Sequence, residues 1–261
     1  MNRRTAFAIG AAAVVAAAAL SIPALAHRTA PEAAPPPGNG WVLAFSDDFS
    51  GTTVDSAQWT DRSSAEADDG HGNKDNDQLE WNQAANCTVS GGELDLTARR
   101  EAFTAPSGTT YDWTSCLLSS SYAFQYGYVE ERAVLPAQQG FWPALWTWQA
   151  QGVEVPVETD AYEFYSSNPH ELDLTQHSDG YTCRWRPGFD PAAGWHTYGV
   201  AIEPTGTVWY VDGVAVCRTG ATSTGMTNII TNLAVHAPQP PAATVTTAVK
   251  RVDYIRAWQR S

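Results

Sequence analysis

Positive charge is scarce in this chain of 261 residues. Lys74 and Lys250 are its only lysines. Lysine and arginine together number 15 against 28 aspartates and glutamates, and the formal net charge is −13. Such a chain repels a polyphosphate, which argues against nucleic acid as a partner. Long apolar runs are scarce too. The one present, Ala6–Leu20, covers about 15 residues, short of the ~20 that span a bilayer. It follows Arg3 and Arg4 and leads to Ala24-Leu25-Ala26, a small-x-small pattern. Residues 1–26 therefore read as a secretory signal peptide, with Sec and twin-arginine export both open. After its removal no membrane partner is expected, and the expected location is extracellular. No Cys-x-x-Cys occurs and the six histidines have no ligand spacing, which argues against zinc. Beyond residue 26 no window free of breakers carries a helical apolar period.

What is present suits a single sizeable core. Hydrophobic residues make up 43 % of the chain and aromatics 11 %, with 11 Trp. The length is too great for a disulfide-dominated mini-protein and too small for two comfortable domains. His27–Gly40 is a Pro/Ala-rich linker, so the folded domain is expected at 41–261. Cys87, Cys116, Cys183 and Cys217 are an even set, which suggests two disulfides in an exported protein. Three connectivities exist; Cys87–Cys116 with Cys183–Cys217 is expected from proximity alone.

The local signals are strands and turns. Thr207–Val211 and Val214–Cys217 flank Asp212-Gly213, the strongest short hairpin cue. Ser90-Gly91-Gly92 separates Cys87-Thr88-Val89 from Glu93–Ala98. Tyr126–Leu135 and Arg251–Trp258 alternate polar and apolar residues. Many short strands indicate an all-β sandwich or barrel.

One stretch concentrates acids. Glu158-Thr-Asp160-Ala-Tyr-Glu163 has β-branched and aromatic flanks and reads as a strand. Glu158 and Asp160 then share a face, and Glu163 joins them only if a β-bulge at Ala161 or Tyr162 adds one residue. The two Glu backbones would lie roughly 13 Å apart. Long side chains leaning inward can approach the about 5–5.5 Å that a retaining glycosidase needs between carboxyls. A solvated face and a cation site are the competing readings. Glu-x-Asp also occurs at Glu93-Leu-Asp95 and Glu171-Leu-Asp173, but neither copy has a Glu five positions after its first acid. Those two read as solvated faces.

Gly140-Phe-Trp142-Pro-Ala-Leu-Trp146 stands just upstream. Gly-x-Trp-Pro-Ala-x-Trp followed by Glu-x-Asp-x-x-Glu resembles glycoside hydrolase family 16, the laminarinase-like clan. Asp47–Gly51, Asn76–Trp81, Tyr126–Arg132, Trp195–Tyr198, Trp209–Gly213 and Val252–Arg256 resemble further family segments, in order. The resemblance implies a two-sheet antiparallel β-jelly roll, concanavalin-like, with a concave substrate cleft. It implies retaining endo-hydrolysis of a β-linked polysaccharide by a monomer, with no cofactor required. Glu158 is similar to the family nucleophile, Asp160 to its helper acid and Glu163 to its general acid/base. Trp142, Trp146, His177 and Asn76 are candidate substrate contacts. Trp81 is a weaker one, and packing in the core is the alternative for each aromatic. Arg132 is expected to pair with Glu130. Asp253 resembles a ligand of a structural calcium near Asp48 and Gly91, where hard oxygen donors suit that ion.

Departures from the family fall at Val157, Thr159 and Tyr162, in Gln149–Pro156 and in Leu233–Pro241. The loops that choose the sugar are among the segments that diverge. The expected substrate is a β-1,3-glucan. Agar-, carrageenan- or galactan-type polymers, transglycosylation, and a non-catalytic lectin-like domain are the alternatives.

Overall fold

Alternation of burial along the chain makes the strands. In Glu93–Arg99, Leu94, Leu96 and Ala98 are buried while the residues between them are not. The computed structural model describes residues 36, 38–153 and 157–261. Residues 1–26, read as a signal peptide, and most of the linker lie outside them. The strands are β1 (Trp41–Asp47), β2 (Trp59–Thr60), β3 (Glu80–Asn82), β4 (Cys87–Ser90), β5 (Glu93–Arg99), β6 (Phe103–Thr104) and β7 (Thr110–Tyr111). They continue as β8 (Trp113–Ser115), β9 (Leu117–Phe124), β10 (Gly127–Val134), β11 (Phe141–Gln149), β12 (Glu158–Glu163) and β13 (Leu172–Gln176). The last six are β14 (Tyr181–Trp185), β15 (His196–Glu203), β16 (Gly206–Val211), β17 (Val214–Thr219), β18 (Thr227–Val235) and β19 (Thr247–Arg260). Among the described residues the only helices are short 3₁₀ turns.

Two sheets stack. One runs β17-β16-β15-β10-β19-β5-β8-β3, with β1 and β4 paired at its sides; the other runs β14-β13-β12-β11-β18-β9-β2. Pairing is antiparallel except between β3 and β8. This is the expected two-sheet jelly roll. The expected hairpins form. Asp212 and Gly213 have φ of 48° and 73°, and Gly91 and Gly92 have 63° and 79°. Those positive pairs match the twist of two-residue hairpins, and an L side chain at either Gly position would be strained.

The apolar core fills the space between the sheets and includes Trp209, Tyr198, Tyr162, Phe141, Leu145 and Val252. Disulfides Cys87–Cys116 and Cys183–Cys217 form as expected. The second joins β14 to β17, the terminal strands of the two sheets. Asp253 does not stand open to a cation. It is 2 % exposed and accepts a hydrogen bond from Arg132. Arg132 therefore pairs with Asp253, not with Glu130, whose carboxylate accepts from the Tyr128 and Tyr254 hydroxyls at 2.7 and 2.8 Å.

Candidate active site

The site grows from an irregularity in β12. Against β11, Glu158 faces Trp148, Thr159 faces Thr147 and Asp160 faces Trp146; then Tyr162 faces Leu145 and Glu163 faces Ala144. Ala161 is left over, two residues on one strand opposing one step on the other, which defines the bulge. The register against β13 breaks at the same place. Thr159 and Tyr162 turn into the core, both 0 % exposed. Glu158, Asp160 and Glu163 reach the opposite face and line one cleft.

The three carboxyls form a connected set. Asp160 lies beside Glu163, close enough for its charge to act on that carboxyl. His177 Nε2 lies 2.9 Å from Asp160 Oδ2 and 3.7 Å from Glu158 Oε1. Glu163 Oε1 accepts from the Tyr165 hydroxyl at 3.1 Å and from the Trp142 indole N–H at 3.2 Å. Burial, then the neighbouring charge of Asp160, pushes the Glu163 carboxyl up to about 8. Burial lifts Glu158 and Asp160 to about 8 as well. Like charges this close cannot all ionise, so the set retains a proton near neutral pH.

The cleft around the acids has a volume of about 600 Å³. Its floor is the outward face of β11 to β14. Its rim comes from the loop that carries Glu66, Asn73 and Asn76. A second hollow of about 910 Å³ continues it over β18, β9 and β2, bordered by Gln149–Val153. Glu66 and Trp148 border both hollows.

Trp142, Trp146, His177 and Asn76 all line the cleft. Trp142 stacks on Tyr165 with ring centroids 4.9 Å apart, and the Trp146 indole donates to Asn232 Oδ1 at 3.1 Å. Trp81 does not line it. It is buried in a side cluster, stacked between His71 and Phe103. Asp173, read as part of a solvated face, lines the cleft beside Arg184, because the outward face of β13 is the cleft wall.

Sequence reasoning missed Trp148, Tyr165, Gln78, Asn232 and Glu66. Trp148 was within reach, since it shares the two-residue period of Trp142 and Trp146. Glu66 had no local signal: it sits on a loop and meets the cleft only in the fold. Ligand atoms of Glu158, Asp160 and His177 lie within 4.8 Å of one another, near enough to hold a cation. Asp160, however, is already engaged by His177 at 2.9 Å.

Residues 73–255 match the family described as Glycosyl hydrolases family 16. A similar protein is endo-1,3-1,4-beta-glycanase EglC of Rhizobium meliloti (strain 1021), 32 % identical over 203 residues, which cover 70 % of this chain and 43 % of that protein. Glucan endo-1,3-beta-glucosidase A1 of Niallia circulans is 28 % identical over 265 residues, 84 % of this chain and 38 % of the relative. The chain thus spans about two fifths of the length of these curated relatives. Among solved structures, the endo-beta-1,3-glucanase of Pyrococcus furiosus superposes with a TM-score of 0.77 at 28 % identity, covering 88 % of this chain and 99 % of that one.

Proposed function

The chain belongs to the glycosyl hydrolases family 16, and from this premise we propose that it is an exported endo-β-glycanase that cleaves a β-1,3-linked glucan with retention at the anomeric carbon. The observation that carries the reading is the meeting of Glu158, Asp160 and Glu163 on one cleft floor through the bulge at Ala161. Names of similar proteins support the linkage, since those above are a 1,3-1,4-β-glycanase, a glucan endo-1,3-β-glucosidase and an endo-β-1,3-glucanase.

Each acid has a role that its surroundings favour. The Glu158 side chain is 25 % exposed against 3 % for Asp160, and it lies beside His177. More open to the cleft and beside the His177 ring, it takes the nucleophile's part and attacks the anomeric carbon. Glu163, held protonated by burial and by Asp160, gives its proton to the departing glycosidic oxygen as that bond breaks. The ester formed on Glu158 is then opened by water, whose proton returns to Glu163. Asp160 holds the relay together through His177 and Glu163. Trp142 and Trp146 offer ring faces to pyranose units.

Export has two supports, the signal-like residues 1–26 and the two disulfides, which persist in oxidising surroundings. No helix among the described residues is long and apolar enough to cross a membrane.

The test is product analysis on laminarin, mixed-linkage glucan and κ-carrageenan. The last is included because a relative named kappa-carrageenase is 28 % identical over half of this chain. Laminarin should give internal cleavage, with the β-anomer appearing first by proton NMR. Glu158→Gln should lower kcat by roughly 10³-fold or more while laminarin still binds. Near-normal hydrolysis by that variant would refute the assignment. Binding without product by the wild type would favour the lectin reading.

A further inference from the structure

Two opposite charges lie in the middle of the sandwich, behind the acids. Lys250 on β19 and Glu131 on β10 are both 0 % exposed, with Nζ 2.9 Å from Oε1. Such a pair adds little stability over apolar side chains of similar volume, because desolvation offsets the attraction. Stability alone does not explain it. Its contacts do. Lys250 Nζ donates to the Ala144 carbonyl oxygen at 2.8 Å and to Thr231 Oγ1 at 2.7 Å. Glu131 accepts from the Tyr162 hydroxyl at 2.7 Å and from the Thr231 hydroxyl at 2.7 Å. Ala144, Tyr162 and Thr231 all belong to the sheet that carries the acids, whereas Lys250 and Glu131 belong to the other.

These partners lie at the bulge. Tyr162 adjoins the unpaired Ala161, and Ala144 is the residue opposite Glu163. A bulge takes backbone groups out of the ladder, and each one buried must find another partner. Two carbonyls beside the break are met by side chains from the opposing sheet. The Trp209 indole N–H takes the Asp160 carbonyl at 2.7 Å, and Lys250 takes that of Ala144. The Tyr162 ring also lies under Lys250, 5.2 Å from Nζ to centroid. A one-residue slip of β12 would turn Glu163 from the cleft toward the core.

We propose that the Lys250–Glu131–Tyr162 network is a positioning device that pins the bulge at Ala161 and so fixes how far Glu163 stands above the cleft floor. None of the three touches the sugar. The inference rests on the reading of Glu163 as the general acid/base. Packing residues would hold the two sheets together equally well, but they would not hold one backbone register on β12 against its neighbours.

The double variant E131L/K250M separates these roles, because it leaves no unpaired charge in the core. Hydrogen exchange and kinetics are compared with wild type well below both melting temperatures. Exchange at residues 158–164 should rise roughly 10-fold or more while β5 and β16 are unchanged. On laminarin, kcat should fall about 10-fold with KM within about twofold, since small misplacement of a reacting group is costly. The alkaline limb of the pH profile should move to lower pH as water reaches Glu163. Unchanged exchange at 158–164, or an unchanged kcat and alkaline limb, overturns the proposal. Should the double variant fail to fold, Tyr162→Phe decides. It removes one hydroxyl, and the same local rise in exchange with a roughly threefold lower kcat is expected; wild-type values in either overturn the proposal. Exchange needs no substrate. A wild type that cleaves no polysaccharide would sink the functional reading and leave the pinning to be judged by exchange alone.

Discussion

Alkaline pH should undermine the fold at Glu80. This side chain on β3 is fully buried. One oxygen accepts the Val235 N–H at 2.8 Å, and the other has no partner among the described residues. Burial, reinforced by the nearby Glu66 carboxyl, lifts Glu80 from about 4.5 to about 8. A carboxyl raised in the folded state is easier to ionise once the chain unfolds. Its contribution to stability is complete below about pH 4.5 and is lost as pH rises toward 8. At about 1.4 kcal/mol per pH unit, the loss approaches an upper bound of about 5 kcal/mol. At roughly 2–4 °C per kcal/mol for a domain of this size, that corresponds to about 10 °C or more in Tm. Glu80→Gln keeps the shape of the protonated acid and cannot ionise. Thermal unfolding followed by circular dichroism from pH 5 to pH 9 should give similar Tm values at pH 5. The fall toward pH 9 should be about 10 °C smaller in the variant. A residual fall remains from Glu66, lifted by burial to about 7, and from the acids in the cleft. Parallel curves for the two proteins would refute the assignment of the alkaline loss to Glu80.

Trp142→Ala should raise KM for laminarin roughly fivefold, since one stacking contact is worth about 1 kcal/mol; an unchanged KM would return Trp142 to a packing role. Arg132→Met should cost about 3 kcal/mol of stability, because it leaves Asp253 buried without its cation. A chelator should leave the wild-type Tm where it is, and a clear drop would give Asp253 back to calcium.

Much of the fold was legible because its signals are local. Asp212-Gly213 and Gly91-Gly92 set their hairpins within a few residues. The spacing of Glu158, Asp160 and Glu163 demanded an inserted residue, and Ala161 is that residue. The illegible parts depend on pairings distant in the chain. Glu131 and Lys250 look like exposed charges on alternating strands, and only the stacking of two sheets brings them together. Asp173 looked like a solvated face because strand alternation says which residues share a side, not whether that side is a groove. Trp81 was the weaker of the candidate sugar contacts, and it packs in a side cluster with His71, Phe103 and Tyr111 instead.

The floor and the rim of the cleft answer to different parts of the chain. The acids stand on strands gripped from inside the sandwich by Trp209 and Lys250, whereas Glu66, Asn76 and residues 150–153 belong to loops at the margins. On the proposed reading, exchanging those loops would change which polymer the cleft accepts while leaving the three acids where they stand.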